Sequence, residues 1–350
     1  MARSPSSKRA IPVDPTADHA HSPLVQARLA DSGEALFVEE LTVEELYDGW
    51  RIDRFLTASI PRTSRTQIQQ YLKHNIELVP PRRVKASIPV RTGDIIRIVR
   101  RELIRPGLPS PDEMVILEEQ EDTVVISKPP GILVHRNSRE VSHTVDAFLA
   151  QRFPDRPHVE AVHRLDRETS GCMLAAFGKP AVSHWRVAFQ QRDVEKVYLA
   201  IVHDPEGRWP LGHEWLIDIP LGFDPNSELS LRMGRGTLSA RTNVIVRQRD
   251  GHYALVELHP TEGRQHQLRA HLSLSGTPIV GDKLYAAGDE YFMRWSDDPV
   301  RTQEMEPLES PYHCLHAWQL KLTMNGERRR FIAPLPPHFF QVMPSLSLPW

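Results

Sequence analysis

The chain has 350 residues, of which 40% are hydrophobic and 25% charged, and its net charge is −2. These values are typical of a globular protein, and the length allows two domains of roughly 100 to 200 residues each. Two cysteines, Cys172 and Cys314, exclude a disulfide framework and are expected as buried free thiols. No apolar run reaches the roughly 18 residues of a membrane helix, and the N-terminus lacks a signal-peptide core, so we expect a cytoplasmic protein without a membrane partner.

Residues 1–40 are rich in Pro, Ser, Asp and Ala and show no hydrophobic periodicity. Such a segment lacks the apolar residues needed to offset the entropy of ordering. We therefore predict a disordered leader over residues 1–40.

Residues 43–105 form a basic module. Apolar spacing predicts helices over 51–58 and 63–74, the second capped by Thr63 or Ser64, and strand-like runs follow at 76–79, 84–88 and 95–99. Residues 51–105 contain thirteen Lys or Arg and four Asp or Glu, a net charge of +9. This excess is typical of a domain that binds a phosphate backbone, although a solvated basic face without a partner is the alternative.

Residues 106–112 are predicted as a linker and residues 113–340 as a second domain. Strands are expected at 114–117, 123–127, 172–177, 196–200, 241–247 and 252–259, and helices at 141–153 and 181–190. Residues 204–238 are predicted to be rich in loops. The proline-rich end, residues 341–350, is predicted as an irregular tail.

The segment 161–177, AVHRLDRETSGCMLAAF, places Asp166 on a polar loop before a buried strand. A carboxylate between Arg164 and Arg167 is a candidate reactive group, but an acidic turn cap with a surface ion pair explains the same pattern. HRLDRETSG resembles the HRLDxxTSG signature of the RluA-type pseudouridine synthases at every fixed position. The resemblance implies that Asp166 is the catalytic residue.

Two further segments resemble motifs of the same family. In KVYLAIV, Tyr198 is typical of a half-buried packing residue, but the string is similar to the family's KxYxA motif. The resemblance implies that Tyr198 stacks on the target base and takes part in proton transfer. EDTVVISKPPGILVH resembles the family's opening motif, in which a Lys-Pro turn supports the active-site floor, so Lys128 is given a structural role.

Residues 261–271, TEGRQHQLRAH, contain two nearby histidines. Zinc binding is disfavoured, because His266 and His271 are five residues apart on different helical faces and no further ligand completes a set. The string resembles the family motif GRTHQLRxH, with Gln265 in place of Thr. The resemblance implies that Arg269 pairs with Asp166 and keeps it ionised. PIVGDKLYAAG and CLHAWQL are similar to the family's remaining motifs.

The resemblance implies an α+β fold: a catalytic domain with a mixed, mainly antiparallel sheet and flanking helices, preceded by a small S4-like RNA-binding module over 43–105. It implies isomerisation of uridine to pseudouridine in structured RNA, with no metal or organic cofactor. We expect the protein to be a monomer. Large-subunit ribosomal RNA is the favoured substrate and transfer RNA the alternative. The predicted RNA contacts are Arg62, Arg65, Lys73, Arg82, Arg83, Lys85, His163, Arg164, Arg264 and His266.

Two other functions fit parts of the sequence. An RNA-binding or RNA-folding protein would need the basic module but not an intact Asp166, Tyr198 and Arg269. A glycoside hydrolase would need a second carboxyl group in the site, and Glu168 is the only nearby candidate in these motifs.

Overall fold

The structure is a computed structural model that describes residues 8–12, 24, 36–60, 65–101, 109–110, 113–136, 143–156, 158–297 and 299–348. The chain divides into two compact units, Met1–Ile104 with Arg136–His143, and Arg105–His135 with Thr144–Trp350. The predicted linker lies outside the described residues except for Pro109 and Ser110.

The described residues of the first unit form a four-stranded antiparallel sheet of order β1-β2-β4-β3, two α-helices and a short 3-10 helix, Glu45–Tyr47. Its elements are β1 Lys8–Pro12, β2 Leu36–Thr42, α1 Ile52–Ser59, α2 Arg65–His74, β3 Ile76–Val79 and β4 Ile95–Arg101. The apolar residues that predicted the helices, Ile52, Phe55 and Leu56 in α1 and Ile68 and Leu72 in α2, lie in one buried core. Both helices are confirmed, and so are the strands predicted at 76–79 and 95–99.

Two predictions for this unit differ from the structure, and a third is not tested by it. Residues 1–40 contain β1 and most of β2, so the prediction of disorder is wrong for these segments; their order comes from pairing with distant strands. Residues 84–88 form no strand, because their backbone bonds locally and to the start of α1, as in Ile52 N–H to Ile88 O at 2.9 Å. The predicted caps Thr63 and Ser64 lie outside the described residues.

The second unit is built around a ten-stranded sheet whose main path is β10-β13-β14-β9-β15-β8-β6-β5, with β16 paired to β15 and β7 to β8. Only the β15–β8 pair is parallel among the described strands of this sheet, which confirms a mixed, mainly antiparallel α+β domain. The strands are β5 Val115–Glu119, β6 Thr123–Lys128, β7 Val159–Ala161, β8 Ser170–Phe177, β9 Glu195–His203, β10 Glu214–Asp218, β13 Arg241–Asp250, β14 Tyr253–Pro260, β15 Leu315–Met324 and β16 Glu327–Ile332, and a separate ribbon joins β11 Leu221–Phe223 to β12 Met233–Arg235.

The helices of this unit are α3 Val145–Arg152, α4 Lys179–Gln191, α5 Gln267–Leu274, α6 Asp289–Asp297, α7 Pro299–Met305 and α8 Pro337–Val342. Helix α3 begins later than the predicted residue 141, because Thr144 adopts an extended conformation and its hydroxyl accepts a hydrogen bond from Ala147 N–H at 3.1 Å. Cys172 and Cys314 are buried free thiols, as predicted.

The end of the described chain packs into the core of this unit. Phe339, Val342, Met343 and Leu346 are buried in the core between the sheet and its covering helices. Phe339 and Val342 belong to α8, whereas Met343 and Leu346 follow it in a segment of turns without regular secondary structure. The irregular tail predicted for residues 341–350 is therefore wrong for Gln341 and Val342, which end α8, and is confirmed for residues 343–348, although Met343 and Leu346 are buried.

Gly171 allows β8 and β15 to meet closely beside the Asp166 loop. Its φ is +111°, and a Cβ atom there would lie 2.2 Å from the carbonyl oxygen of Ala317. We expect Gly171→Ala to lower the free energy of unfolding by about 3 kcal/mol, because it adds a backbone clash to an unfavourable φ. Gly251→Ala, at φ +54° with no atom within 4 Å, isolates the φ effect and should cost about 1 kcal/mol in denaturant unfolding. Equal losses for the two variants would contradict a packing role for Gly171.

Candidate active site

Asp166 lies on the loop between β7 and β8, and the buried Lys128 holds this loop through hydrogen bonds to its backbone and to the neighbouring Lys-Pro turn. The Lys128 ammonium donates hydrogen bonds to the carbonyl oxygens of Pro129, Ile132 and Arg167, at 3.0, 2.8 and 2.8 Å. Within the loop, Thr169 N–H donates to Asp166 O at 3.1 Å. The structural role predicted for Lys128 is confirmed, because its three bonds join the Lys-Pro turn to the residue that follows Asp166.

A second buried lysine fixes the loop through Glu168. Its carboxylate is 2.8 Å from Lys283 Nζ and accepts a hydrogen bond from His313 N–H at 3.2 Å. The neighbouring Thr169 hydroxyl is 2.8 Å from His313 Nε2. Glu168 is thus committed to an internal ion pair and does not line the cavity described below, so it cannot serve as the second acid of a glycoside hydrolase.

Arg269 on α5 joins two carboxylates. It donates from Nε and Nη2 to the two oxygens of Asp282, at 2.7 and 2.9 Å, and from Nη1 to Asp166 Oδ2 at 2.9 Å. The Asp282 side chain is fully buried and also accepts from the backbone N–H groups of Leu284 and Tyr285. The predicted pairing of Arg269 with Asp166 is confirmed. Asp282 fixes the guanidinium plane from the opposite side, so Arg269 presents its remaining nitrogen, Nη1, to Asp166.

The surroundings of Asp166 determine its charge. Burial opposes ionisation, but the positive charges of protonated His266 and of Arg269 outweigh it and hold the pKa of Asp166 well below its usual range. His266 Nε2 lies 3.8 Å from Asp166 Oδ2. Because burial lowers the pKa of His266 to about 4, Arg269 is the cation beside Asp166 at neutral pH.

The lowered pKa values of Asp166 and His266 predict how the reaction rate depends on pH. Asp166 stays ionised and His266 stays neutral as the pH falls from 8 to about 5, so neither should produce a step in the pH–rate profile there. We expect the single-turnover rate at saturating RNA to show no inflection near pH 6.5, the ordinary pKa of histidine. Rates measured from pH 5 to 8, with circular dichroism to verify folding at each pH, test this. An inflection near 6.5 that disappears in His266→Gln would contradict it.

Asp166 opens into a cavity of about 620 Å³. Tyr198 on β9 lines the same cavity, because β15 lies between β8 and β9 and its Ala317 pairs with both Gly171 and Tyr198. Burial, followed by the charge of Asp166, raises the pKa of Tyr198, which keeps its phenol protonated. The structure therefore brings together the three predicted catalytic residues.

The cavity wall is predominantly basic. Two acidic residues line it, Asp166 and Glu262, and the buried Glu262 accepts a hydrogen bond from Arg241 N–H at 2.7 Å. The basic lining residues are Arg164, Arg186, Arg192, Lys196, Arg264 and Arg269. Such a wall suits a polyanion that enters the cavity.

The predicted RNA contacts have different positions. Arg164 is exposed at the cavity, and Arg264 lines it while donating to Ser239 O at 3.0 Å. His266 lines the cavity beside Asp166. His163 also lines the cavity; its Nε2 accepts a hydrogen bond from Leu174 N–H at 3.0 Å and its ring stacks on Phe189. Burial lowers the pKa of His163 to about 3, so its ring is neutral at physiological pH, and its contact with RNA stays a prediction.

In the first unit, Lys73, Arg82, Arg83 and Lys85 are exposed, and Arg82 forms an ion pair with Asp94. Arg62 and the side chain of Arg65 lie outside the described residues. The S4-like assignment of this unit and its RNA contacts stay predictions.

Sequence reasoning missed Asp282, Lys283 and Lys196. Asp282 and Lys283 belong to the GDKLY string that resembled a family motif, which was a signal for importance but not for the partners Arg269 and Glu168. Lys196 is the first residue of the KVY string and lines the cavity. Each partner is distant in sequence, so spacing alone gave no indication of the contact.

Neither a metal site nor a membrane span is found in the described part of the chain. No group of three or more His, Cys, Asp or Glu side chains there could hold a metal ion. Both ring nitrogens of His271 are already engaged, by the Thr242 hydroxyl and by Ile219 O. None of the described helices combines the length and apolar character needed to cross a membrane.

Comparison with known proteins agrees with this site. The family model for RNA pseudouridylate synthase matches residues 122–274. The chain is 34% identical to an uncharacterized RNA pseudouridine synthase of Chloroflexus aurantiacus, over 82% of this chain and 86% of the relative. It is 30% identical to ribosomal large subunit pseudouridine synthase C of Pasteurella multocida, over 88% and 94%.

A solved structure of human RNA pseudouridylate synthase domain containing 4 is similar, with a TM-score of 0.51, 27% identity, and coverage of 67% of this chain and 94% of that chain. The fold, the basic cavity around an ionised carboxylate and the similarity to these relatives all indicate the same family. The chain belongs to the RNA pseudouridine synthase family.

Proposed function

We propose that the protein isomerises a specific uridine of large-subunit ribosomal RNA to pseudouridine, with Asp166 as the catalytic carboxylate. The observation that carries the proposal is the 2.9 Å ion pair between Arg269 and Asp166 at a basic cavity that also contains Tyr198. The names of relatives such as the Pasteurella multocida enzyme favour ribosomal RNA.

The reaction breaks the bond between ribose C1′ and uracil N1 and forms a bond between C1′ and uracil C5. The proton on C5 is released, and N1 takes up a proton, so atoms balance without an oxidant or reductant. An ionised carboxylate next to C1′ can attack it or stabilise its developing positive charge. Arg269 keeps Asp166 ionised for either role.

Tyr198 provides an aromatic surface at the same cavity. A detached uracil that stacks on this ring would stay close to C1′ while it turns. Because the reacting ribose must reach a carboxylate inside the cavity, the target nucleotide has to leave its stack. The exposure of Arg164 at the cavity supports the proposal that its side chain occupies the vacated space.

The test is pseudouridine mapping of total RNA from cells that carry the wild-type gene, a deletion, or Asp166→Asn. We expect one or more uridines of large-subunit ribosomal RNA to lose modification in both the deletion and Asp166→Asn. Asp155→Asn changes an exposed Asp on the α3–β7 connection and is the matched control. Loss confined to transfer RNA would overturn the proposed substrate, and normal modification in Asp166→Asn would overturn the proposed role of Asp166.

A further inference from the structure

One part of the cavity wall has no role in the arrangement around Asp166. It consists of the end of α4, the turn after it and the start of β9. Arg186, Phe189 and Gln190 lie three and four residues apart on one face of α4, and Arg192 and Lys196 follow. This surface combines three cations with one aromatic ring.

The three cations differ in their partners. Arg186 pairs with Glu160 at 2.7 Å, and Arg192 with Glu262 at 3.3 Å. Lys196 is only partly exposed, and its ammonium forms neither a hydrogen bond nor an ion pair with any residue that the structure describes. Lys196 is therefore the cation in this wall whose charge is left uncompensated by direct contact.

The Lys196 ammonium lies at the cavity surface. A Cβ atom on Gly263, another lining residue, would be 3.7 Å from Lys196 Nζ. Burial and then the charge of Arg192 lower the pKa of Lys196, while Glu262 opposes this shift. A partly desolvated ammonium without a partner is unfavourable, so an anion that reached it would gain a strong charge-assisted hydrogen bond.

Strand β9 carries both Lys196 and Tyr198, the residue proposed to stack on the base. Lys196 and Tyr198 are two residues apart on β9, so their side chains share one face and their Cα atoms are about 6.6 Å apart. Both line the cavity. The separation is comparable to the span of one nucleotide.

We propose that Lys196 binds the backbone phosphate of a nucleotide next to the uridine that enters the cavity. The phosphodiester carries one negative charge and can serve as the anionic partner that the Lys196 ammonium does not have among the residues that the structure describes. Arg192 provides a second cation beside Lys196. This subsite rests on the proposed function, because it assumes that an RNA strand passes through the cavity. It positions the strand and takes no part in bond breaking.

The first test is RNA binding as a function of salt. The probe is a fluorescent RNA hairpin whose loop carries one uridine among cytidines, and the full-length proteins are wild type, Lys196→Gln, Lys196→Arg and Lys179→Gln. Lys179 is an exposed residue at the start of α4, so Lys179→Gln removes the same charge outside the cavity. We expect Lys196→Gln to weaken binding about tenfold at 0.1 M salt and to reduce the slope of log affinity against log salt by about 0.7 to 1.

Lys196→Arg should keep most of the affinity, and Lys179→Gln should resemble wild type. At saturating RNA, Lys196→Gln should react within about threefold of the wild-type rate, because a positioning contact alters binding more than the chemical step. Equal behaviour of Lys196→Gln and Lys179→Gln, or a lower rate at saturation with unchanged affinity and salt slope, would overturn the subsite. Failure of wild type to bind the hairpin would also count against it.

The second test locates the phosphate. Each loop phosphate is replaced in turn by an uncharged methylphosphonate. At one linkage next to the uridine, we expect the methylphosphonate to weaken RNA binding by wild type but not to weaken binding by Lys196→Gln any further. Equal losses of affinity in both proteins at every linkage would contradict the proposal. Because the affinity, the salt slope and the methylphosphonate series all measure binding, a lost contact in Lys196→Gln alongside unchanged modification in the Asp166→Asn cells would retain the subsite and reject the proposed function.

Discussion

Asp166→Asn is expected to abolish pseudouridine formation by the purified protein while the fold and RNA affinity stay intact. An amide has the size of the carboxylate but carries no negative charge and is a poor nucleophile. The single-turnover rate should therefore fall on the order of 10⁴-fold or more. Stability should change little, because Arg269 keeps both hydrogen bonds to Asp282.

The measurement is release of tritium from RNA labelled at C5 of uridine, since that hydrogen leaves when C5 bonds to the ribose. Hairpin affinity and the thermal midpoint of the same preparations should match wild type. Asp155→Asn should be fully active. Retention of more than about a tenth of the rate by Asp166→Asn would mean that the carboxylate is not the reacting group.

Local pattern predicted the elements whose apolar residues repeat along one segment. Ile52, Phe55 and Leu56 predicted α1, and the apolar stretch after Gly171 predicted β8. These predictions are confirmed, because the apolar residues of each element lie within one short segment and pack together into the core. Helix α8 follows the same rule, but the prolines of this segment favour irregular structure when only the sequence is considered.

Local pattern alone did not predict features that depend on distant partners. Strand β1 has no amphipathic pattern and exists through pairing with β2, about thirty residues later. The Glu168–Lys283 ion pair joins residues 115 positions apart. In the candidate site, the motifs that resembled the family identified Asp166, Tyr198 and Arg269 and the pairing of Arg269 with Asp166, whereas Asp282 as the second partner of Arg269 emerged only with the fold.

Asp282 and Asp166 contact the same guanidinium, but Asp282 is enclosed by the protein and Asp166 is accessible to solvent and substrate. Asp282 is fully buried and accepts four hydrogen bonds, two from Arg269 and two from backbone N–H groups. Asp166 faces the cavity and accepts one bond from Arg269. Their substitution should therefore separate stability from catalysis.

Asp282→Asn is expected to destabilise the protein by about 3 kcal/mol, because it removes one charge of a buried pair and leaves Arg269 with Asp166 alone. For a domain of this size the thermal midpoint should fall by roughly 6 to 12 °C. The loosened guanidinium should also slow the reaction about 10²-fold at temperatures where the variant is folded. Calorimetry and the tritium assay measure the two effects.

Asp166→Asn is the matched control, since it removes a carboxylate from the same arginine with the opposite expected result. If Asp282→Asn kept the wild-type midpoint, the bidentate pair would not be what holds Arg269 in place. If instead both variants lost stability equally, Asp166 would be as structural as Asp282, and the ion pair at the cavity could no longer be attributed to catalysis. The predicted contrast follows from burial: the carboxylate that the fold needs is enclosed, and the one that the substrate needs is accessible.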